Sequence, residues 1–265
     1  MTDGMADLGN VRLRFWDAGG GGGEAVLLLH PGSGSADVYR HQRTVSAEAG
    51  FRVVAYSRRG QGGSELGSDA ATCFAVDDLF ALMDRLGLER AHLVGNALGG
   101  FVALDAALTR PGRVRSLVLA CSMMGIDEPD YQATSKSLRP PAFDALPATV
   151  KELGPSYRAG DPAGVAAWQA LHERAGKGQP VRLRSRLTWA AIATLQVPVL
   201  LLTGDADLWI PPALLRRVAL KFSNSRVAIV ADAGHSAQWE QPAAFNRLVL
   251  DFLASCSTSA RAAGT

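Results

Sequence analysis

The sequence predicts an α/β protein built on a mostly parallel, doubly wound sheet. Three observations carry this. Short, largely apolar runs such as Ala25–Leu29, Phe51–Tyr56 and Val114–Ala120 recur along the chain, as strands buried on both faces do. Longer stretches with helical spacing lie between them, which is the alternation that covers a parallel sheet with helices. Glycines cluster where the runs end, and the chain holds 28 of them in 265 residues, about 11% against a usual ~7%.

Taken in order, Val11–Trp16 alternates like a strand, and Gly19–Gly23 after it reads as a hairpin loop. Ala25–Leu29 is a strand ending at His30-Pro31-Gly32-Ser33-Gly34-Ser35. Ala36–Ala49 reads as a helix and Phe51–Tyr56 as a buried strand. Thr72–Leu86 places Phe74, Val76, Leu79, Leu82, Met83 and Leu86 on one broad helical face, with Gly87 as a stop signal. His92–Val94 is a strand, Leu98–Leu108 a helix and Val114–Ala120 a strand. Val197–Leu202, Ala213–Phe222, Arg226–Val230 and Gln241–Phe252 continue as strand, helix, strand and helix, and the small polar tail from Ser255 is expected to fray.

The alternation breaks between Gly125 and Ala193. There Pro129, Pro140, Pro141, Pro147, Pro155, Pro162 and Pro180 punctuate short helical pieces with no strand pattern. Because the sheet pattern resumes afterwards, this stretch is expected to be an insertion between two strands rather than a separate domain. The predicted organisation is a core of residues 1–122 and 193–265 with a helical insertion of residues 123–192.

Composition narrows the partners. With 48% hydrophobic and 20% charged residues the chain is globular. Its 27 Lys+Arg against 25 Asp+Glu, a net +2, is too even for a protein that neutralises phosphates, so no nucleic-acid partner is expected. Cys73, Cys121 and Cys256 are odd in number and far apart, which predicts no disulfide framework and no metal site. Met1–Asn10 lacks the apolar core of a signal peptide, and no apolar run reaches the roughly 18 residues of a membrane span. A cytoplasmic protein with no membrane partner and no cofactor is the expectation, with homo-oligomerisation left open. A nucleotide-binding reading of the glycine loops fails, since there is no G-x-x-x-x-G-K-[ST] and no G-x-G-x-x-G after the first strand.

Chemistry enters at Gly95-Asn96-Ala97-Leu98-Gly99-Gly100. A strand, a tight turn flanked by small residues and an immediate helix form a nucleophile elbow, in which a strained central residue projects over the sheet edge. That residue should be Ser, Cys or Asp. It is Ala97. Downstream, Thr203-Gly204-Asp205-Ala206-Asp207 follows a strand, and Ala233-Gly234-His235-Ser236 follows the last one. An acid on the first loop would orient an imidazole on the second, and elbow, acid, His is the hydrolase order for this elbow.

These pieces together resemble the α/β-hydrolase superfamily from about Val11 to Phe252: the HPGSG loop, Ser57–Ser64 (SRRGQGGS), the GNALGG elbow, the insertion, GDADLWIPP and AGHS, six motifs in order. The resemblance implies an α/β-hydrolase sheet, mostly parallel and doubly wound, with the insertion as a helical cap. It implies that His235 is the general base and Asp207 the acid, since the family's Gly-x-x-Asp spacing from Gly204 lands there; Asp205 is the competing candidate for the acid, and more often such a residue holds the turn. Backbone N–H groups of Gly32 and Leu98 resemble the oxyanion hole. Pro31 departs from the family's opening and has no N–H, so Ser33 is a candidate to share the role of Gly32. Arg58 and Arg59 belong to a loop motif that is mainly structural in the family.

Ala97 is the departure that matters, because it closes the covalent route and leaves only slow attack by a His-activated water. A deliberate Ser→Ala substitution competes with a natural protein that binds without turnover, and the intact His, acid and oxyanion loop favour the first. No other nucleophile stands in an elbow: Ser33 and Ser122 lie near strand ends, and Cys121 reads as a small core residue. Substrate-contact candidates are Asn96, Trp168, Trp189, Trp209 and Arg186, the last as a partner for a substrate carboxylate, with Trp239 packing the last helix. The expected partner is a small acyl compound, an ester or lactone. Carbon–carbon hydrolysis of a ring-fission-type diketone acid, which uses the same Ser, His and acid, is the alternative, as is a non-catalytic receptor.

Overall fold

A computed structural model describes residues 2–19 and 22–262. Eight strands form one sheet in the order β1-β2-β4-β3-β5-β6-β7-β8: β1 (Thr2–Asp7), β2 (Arg12–Asp17), β3 (Ala25–Leu29), β4 (Arg52–Tyr56), β5 (Ala91–Asn96), β6 (Val114–Ala120), β7 (Val199–Gly204) and β8 (Ser225–Val230). From β4 to β8 every pairing is parallel, while β1 and β2 are antiparallel at one edge. Around the sheet lie α1 (Arg40–Glu48), α2 (Ala75–Arg85), α3 (Leu98–Thr109), α9 (Pro212–Ala219), α10 (Ala237–Glu240) and α11 (Pro242–Ala262). Between β6 and β7 run α4 (Pro129–Ser137), α5 (Ala148–Glu152), α6 (Pro155–Gly160), α7 (Pro162–Arg174) and α8 (Trp189–Ala193), and no strand interrupts them.

The strands are apolar at successive positions because both faces are covered. Successive side chains alternate across a strand, so Leu27 and Leu29 join the core on the α2, α3 and α9 side, with Leu79, Leu104 and Leu215. Val26 and Leu28 join the other core, with Tyr39 and with Phe245 and Val249 of α11. This is the doubly wound sheet expected. It aims the C-terminal ends of β3, β5, β7 and β8 at one edge, and the loops that leave those ends carry the chemistry.

Two local expectations are corrected and one strand is added. Gly19–Gly23 joins β2 to β3, which lie on opposite sides of β4, so the connection is a crossover and not a hairpin; its Gly20 and Gly21 lie outside the described residues. The stretch from Ser255 does not fray at once but extends α11 to Ala262. An N-terminal strand, β1, adds to β2 at the sheet edge with only Ala6 buried, too little to leave an apolar signature. Among the described residues no helix is long and apolar enough to cross a membrane, and no group of three or more His, Cys, Asp or Glu could hold a metal.

Candidate active site

The elbow is built by packing. Ala97 sits between β5 and α3 at φ 48°, ψ −114°, a left-handed conformation that costs a non-glycine residue about 1–3 kcal/mol. The surroundings over-determine it. Ala97 donates its N–H to the Ala120 carbonyl at 2.9 Å, and its own carbonyl accepts from Ser122 Oγ at 2.6 Å and from Gly100 N–H at 3.0 Å. A Cβ on Gly95 would run into the Gly99 backbone, and one on Gly99 into the Leu29 carbonyl of the neighbouring strand, so only glycine lets strand and helix approach this closely.

The loop after β3 is held from below by Arg58. This buried guanidinium donates to the carbonyls of His30 and Pro31, the latter at 2.6 Å, while its backbone N–H donates to His30 Nε2 at 2.9 Å. Burial lowers Arg58 to about 10, which still leaves it cationic at neutral pH. Gln61 Nε2 adds a bond to the Gly32 carbonyl at 2.7 Å. Arg59 instead forks onto Asp78 and reaches Asp69, away from the loop. Both arginines are structural, as expected.

On the loop after β7, four donors converge on Asp207: Trp209 N–H at 2.8 Å, Ile210 N–H at 3.1 Å, Thr203 Oγ1 at 2.9 Å and His235 Nδ1 at 2.8 Å from Oδ2. Asp205 accepts from Ala233 N–H at 3.3 Å and so holds the neighbouring turn. With Nδ1 committed to Asp207, His235 is left with Nε2 to titrate. Burial opposes its charge, but Asp207, Glu152 and Glu240 outweigh that and lift it to about 9.

The imidazole loop is itself clamped. The buried Glu240 carboxyl accepts from Gly154 N–H at 2.7 Å, Gly234 N–H at 3.0 Å and Ser236 N–H at 3.2 Å. Trp168 Nε1 donates to Ser236 Oγ at 3.1 Å. A cleft of about 190 Å³ then brings together Gly32, Ser33, Ala97, Leu98, Glu152, Trp209 and His235, with Pro31, Phe101 and Met123 as apolar lining. A larger groove, about 480 Å³, lies elsewhere around Trp189, Arg217 and Lys221 and holds neither the elbow nor the imidazole.

The sequence pattern of the Alpha/beta hydrolase family matches residues 26–248, most of the chain. The chain belongs to that family. Within it, the chain is 32% identical over 257 residues to "Putative carbamate hydrolase RutD" of Variovorax paradoxus, covering 89% of this chain and 93% of the relative. It is also 32% identical to a "2-hydroxy-6-oxononadienedioate/2-hydroxy-6-oxononatrienedioate hydrolase 2" of Pseudomonas putida, covering 92% of each. The enol-lactonase of Burkholderia xenovorans LB400 shares the fold with a TM-score of 0.76 at 22% identity, covering 95% of this chain and all of that one.

Several substrate candidates lie elsewhere in this family member. Asn96 is 1% exposed and spans Tyr39 OH and Gln238 Oε1, a buried brace behind the elbow. Trp168, 2% exposed, stacks on His172 and supports Ser236 rather than lining the cleft. Trp189 faces the separate groove and packs edge-on against Tyr131. Arg186 is 79% exposed and paired with Asp127, so it is a solvated face residue. Trp209 does line the cleft, packed against Phe143, and Trp239 is buried beneath Arg40. Glu152 and Glu240 are the site residues that motif reasoning missed.

Proposed function

We propose that the cleft is an acyl site of serine-hydrolase design for a small carboxylic ester or lactone, with Ala97 standing where the nucleophile belongs. One observation carries this: Ala97 holds the strained elbow conformation in the same cleft as an imidazole already bonded to a buried carboxylate. An alanine gains nothing from that strain, whereas a side chain that must project into a cleft needs it. In this reading Asp207 orients His235 as general base, and the N–H groups of Gly32 and Leu98, with Ser33 beside them, receive the developing oxyanion. Residues 123–192 act as a cap over a core of residues 1–122 and 193–265, contributing Met123 and Glu152 to the cleft. The intact surroundings favour a Ser→Ala replacement over a natural receptor.

Ala97→Ser should sharply raise hydrolysis of short p-nitrophenyl esters, and His235→Ala should abolish that gain. If Ala97→Ser stays inert on a panel of esters, lactones, carbamates and diketone acids while the Ala97 chain binds one of them tightly, the receptor reading holds instead. Relatives named for carbamate and for carbon–carbon cleavage, both 32% identical, favour putting those two classes on the panel. Turnover of only a vinylogous diketone acid would favour carbon–carbon hydrolysis.

A further inference from the structure

His235 and Glu152 are the two residues lining the cleft with an imidazole or carboxyl group, and the serine-type reaction uses only one of them. Glu152 ends α5, on the segment between β6 and β7, yet it is fixed against the imidazole loop. Its carbonyl accepts the Ser236 N–H at 3.0 Å, and two residues on, Gly154 is bonded to the Glu240 that also holds Gly234. Glu152 therefore cannot drift from His235 without breaking that clamp. Around its carboxyl, burial and Asp207 favour the neutral acid, whereas His235, Trp209 and Lys151 favour the carboxylate, with a net upward shift. Trp209 Nε1 is buried and makes no hydrogen bond among the described residues.

We propose that Glu152 is a catalytic residue of the chain as it stands: with no side chain at position 97 able to attack, Glu152 and His235 deliver a water molecule directly to the acyl carbonyl, and hydrolysis proceeds without a covalent intermediate. This rests on the acyl-site reading above. A cleft of about 190 Å³ has room for a small acyl group and a water, whose share of liquid volume is about 30 Å³. The Glu152 carboxylate takes a proton from water as the water oxygen bonds to the carbonyl carbon, and the carbonyl π electrons move to the oxygen. Collapse breaks the bond to the leaving group, which takes the Nε2 proton of His235. Glu152 then returns its proton to His235, so that one water is consumed and one acid and one protonated leaving group are released. A histidine lifted to about 9 suits this division of labour, since at neutral pH it carries the proton that the leaving group needs.

The test compares the Ala97 chain with Glu152→Gln, Glu152→Asp, His235→Ala and Ala97→Ser on a short p-nitrophenyl ester. The Ala97 chain should exceed buffer and form no acyl adduct by mass spectrometry. Glu152→Gln should lose about 100-fold, as removal of a general base does, and should lose the acid limb of the pH profile, while Glu152→Asp retains part of the rate. Equal rates for the Ala97 chain and Glu152→Gln, or equal losses in Gln and Asp, overturn the proposal. So does an Ala97 chain no faster than His235→Ala while Ala97→Ser turns over, a result that leaves the acyl-site reading standing. If Ala97→Ser is inert as well, that reading falls and this one with it.

Discussion

Ser236 donates its backbone N–H to the carbonyl of Glu152 at 3.0 Å, so the residue after the imidazole is bonded to the residue that brings a second acid into the cleft. The same Ser236 N–H reaches Glu240, whose carboxyl also gathers Gly154 and Gly234. Two stretches distant in sequence, 152–154 and 234–240, are thereby held as one unit, and its geometry depends on buried acceptors.

Glu240 makes that unit pH-sensitive. Burial raises it to about 7, against the pull of its three N–H donors, and Asp207 adds to the rise. The folded state therefore binds this proton more tightly than the unfolded chain does. The stability it lends is full below the ordinary carboxyl value near 4.5 and is lost as pH climbs through about 7. Glu240→Gln should flatten that slope. It should also lower stability at pH 5 by about 1–3 kcal/mol, because one amide oxygen cannot serve both Gly154 and Ser236. Urea unfolding at pH 5 and pH 8 measures both effects, and an unchanged slope would rule the account out.

In the Ala97→Ser variant the imidazole must be neutral to accept the serine proton. With His235 lifted to about 9, kcat/KM should rise with pH until about 9 rather than level off near 7. Asp207→Asn in that background removes the leading attractive charge and the correct orientation of Nδ1. It should shift the limb to lower pH while reducing the rate by at least about a hundredfold. A plateau already reached at pH 7 would contradict the assignment.

Gly99→Ala tests whether the elbow is held by contact. The added methyl would meet the Leu29 carbonyl, a backbone atom inside the sheet that cannot swing aside. A loss of about 3 kcal/mol or more is expected from such overpacking, read as a shift in denaturation midpoint. A near-neutral result would mean that strand and helix are free to separate.

Arg58→Met should strip the loop before the elbow of its support. It leaves the His30 carbonyl unpaired, at about 1–3 kcal/mol, and takes one of two donors from the Pro31 carbonyl, which keeps His30 Nδ1 at 2.7 Å; relief of a buried cation partly offsets the loss. The net expectation is destabilisation of about 1–3 kcal/mol. In the Ala97→Ser background kcat should fall more than KM rises, because the N–H groups of this loop act on the transition state. Steady-state kinetics beside a thermal melt separates the two effects.

What could be seen from the chain alone followed how local each signal is. Ala25–Leu29 and the other central strands show themselves because both of their faces are buried, whereas β1 buries only Ala6. The elbow, Asp207 and His235 each stand in a short motif at a strand end. Glu152 and Glu240 stand in none: Gly154 and Glu240 are 86 positions apart, and only the folded sheet brings them together. Asn96 and Trp168 misled for the opposite reason. Sequence position beside the elbow, or within the insertion, says nothing about the direction of a side chain, and both turn toward buried partners.

The bend at Ala97 has a last consequence. Its angles are dictated by neighbouring backbone, so the shape of the cavity is independent of the reactivity it houses. A single oxygen atom, added or withheld at that Cβ, would decide between attack through a covalent intermediate and direct attack by water while every wall stays where it is. Compounds accepted by the alanine form should therefore be the same ones that a serine form consumes.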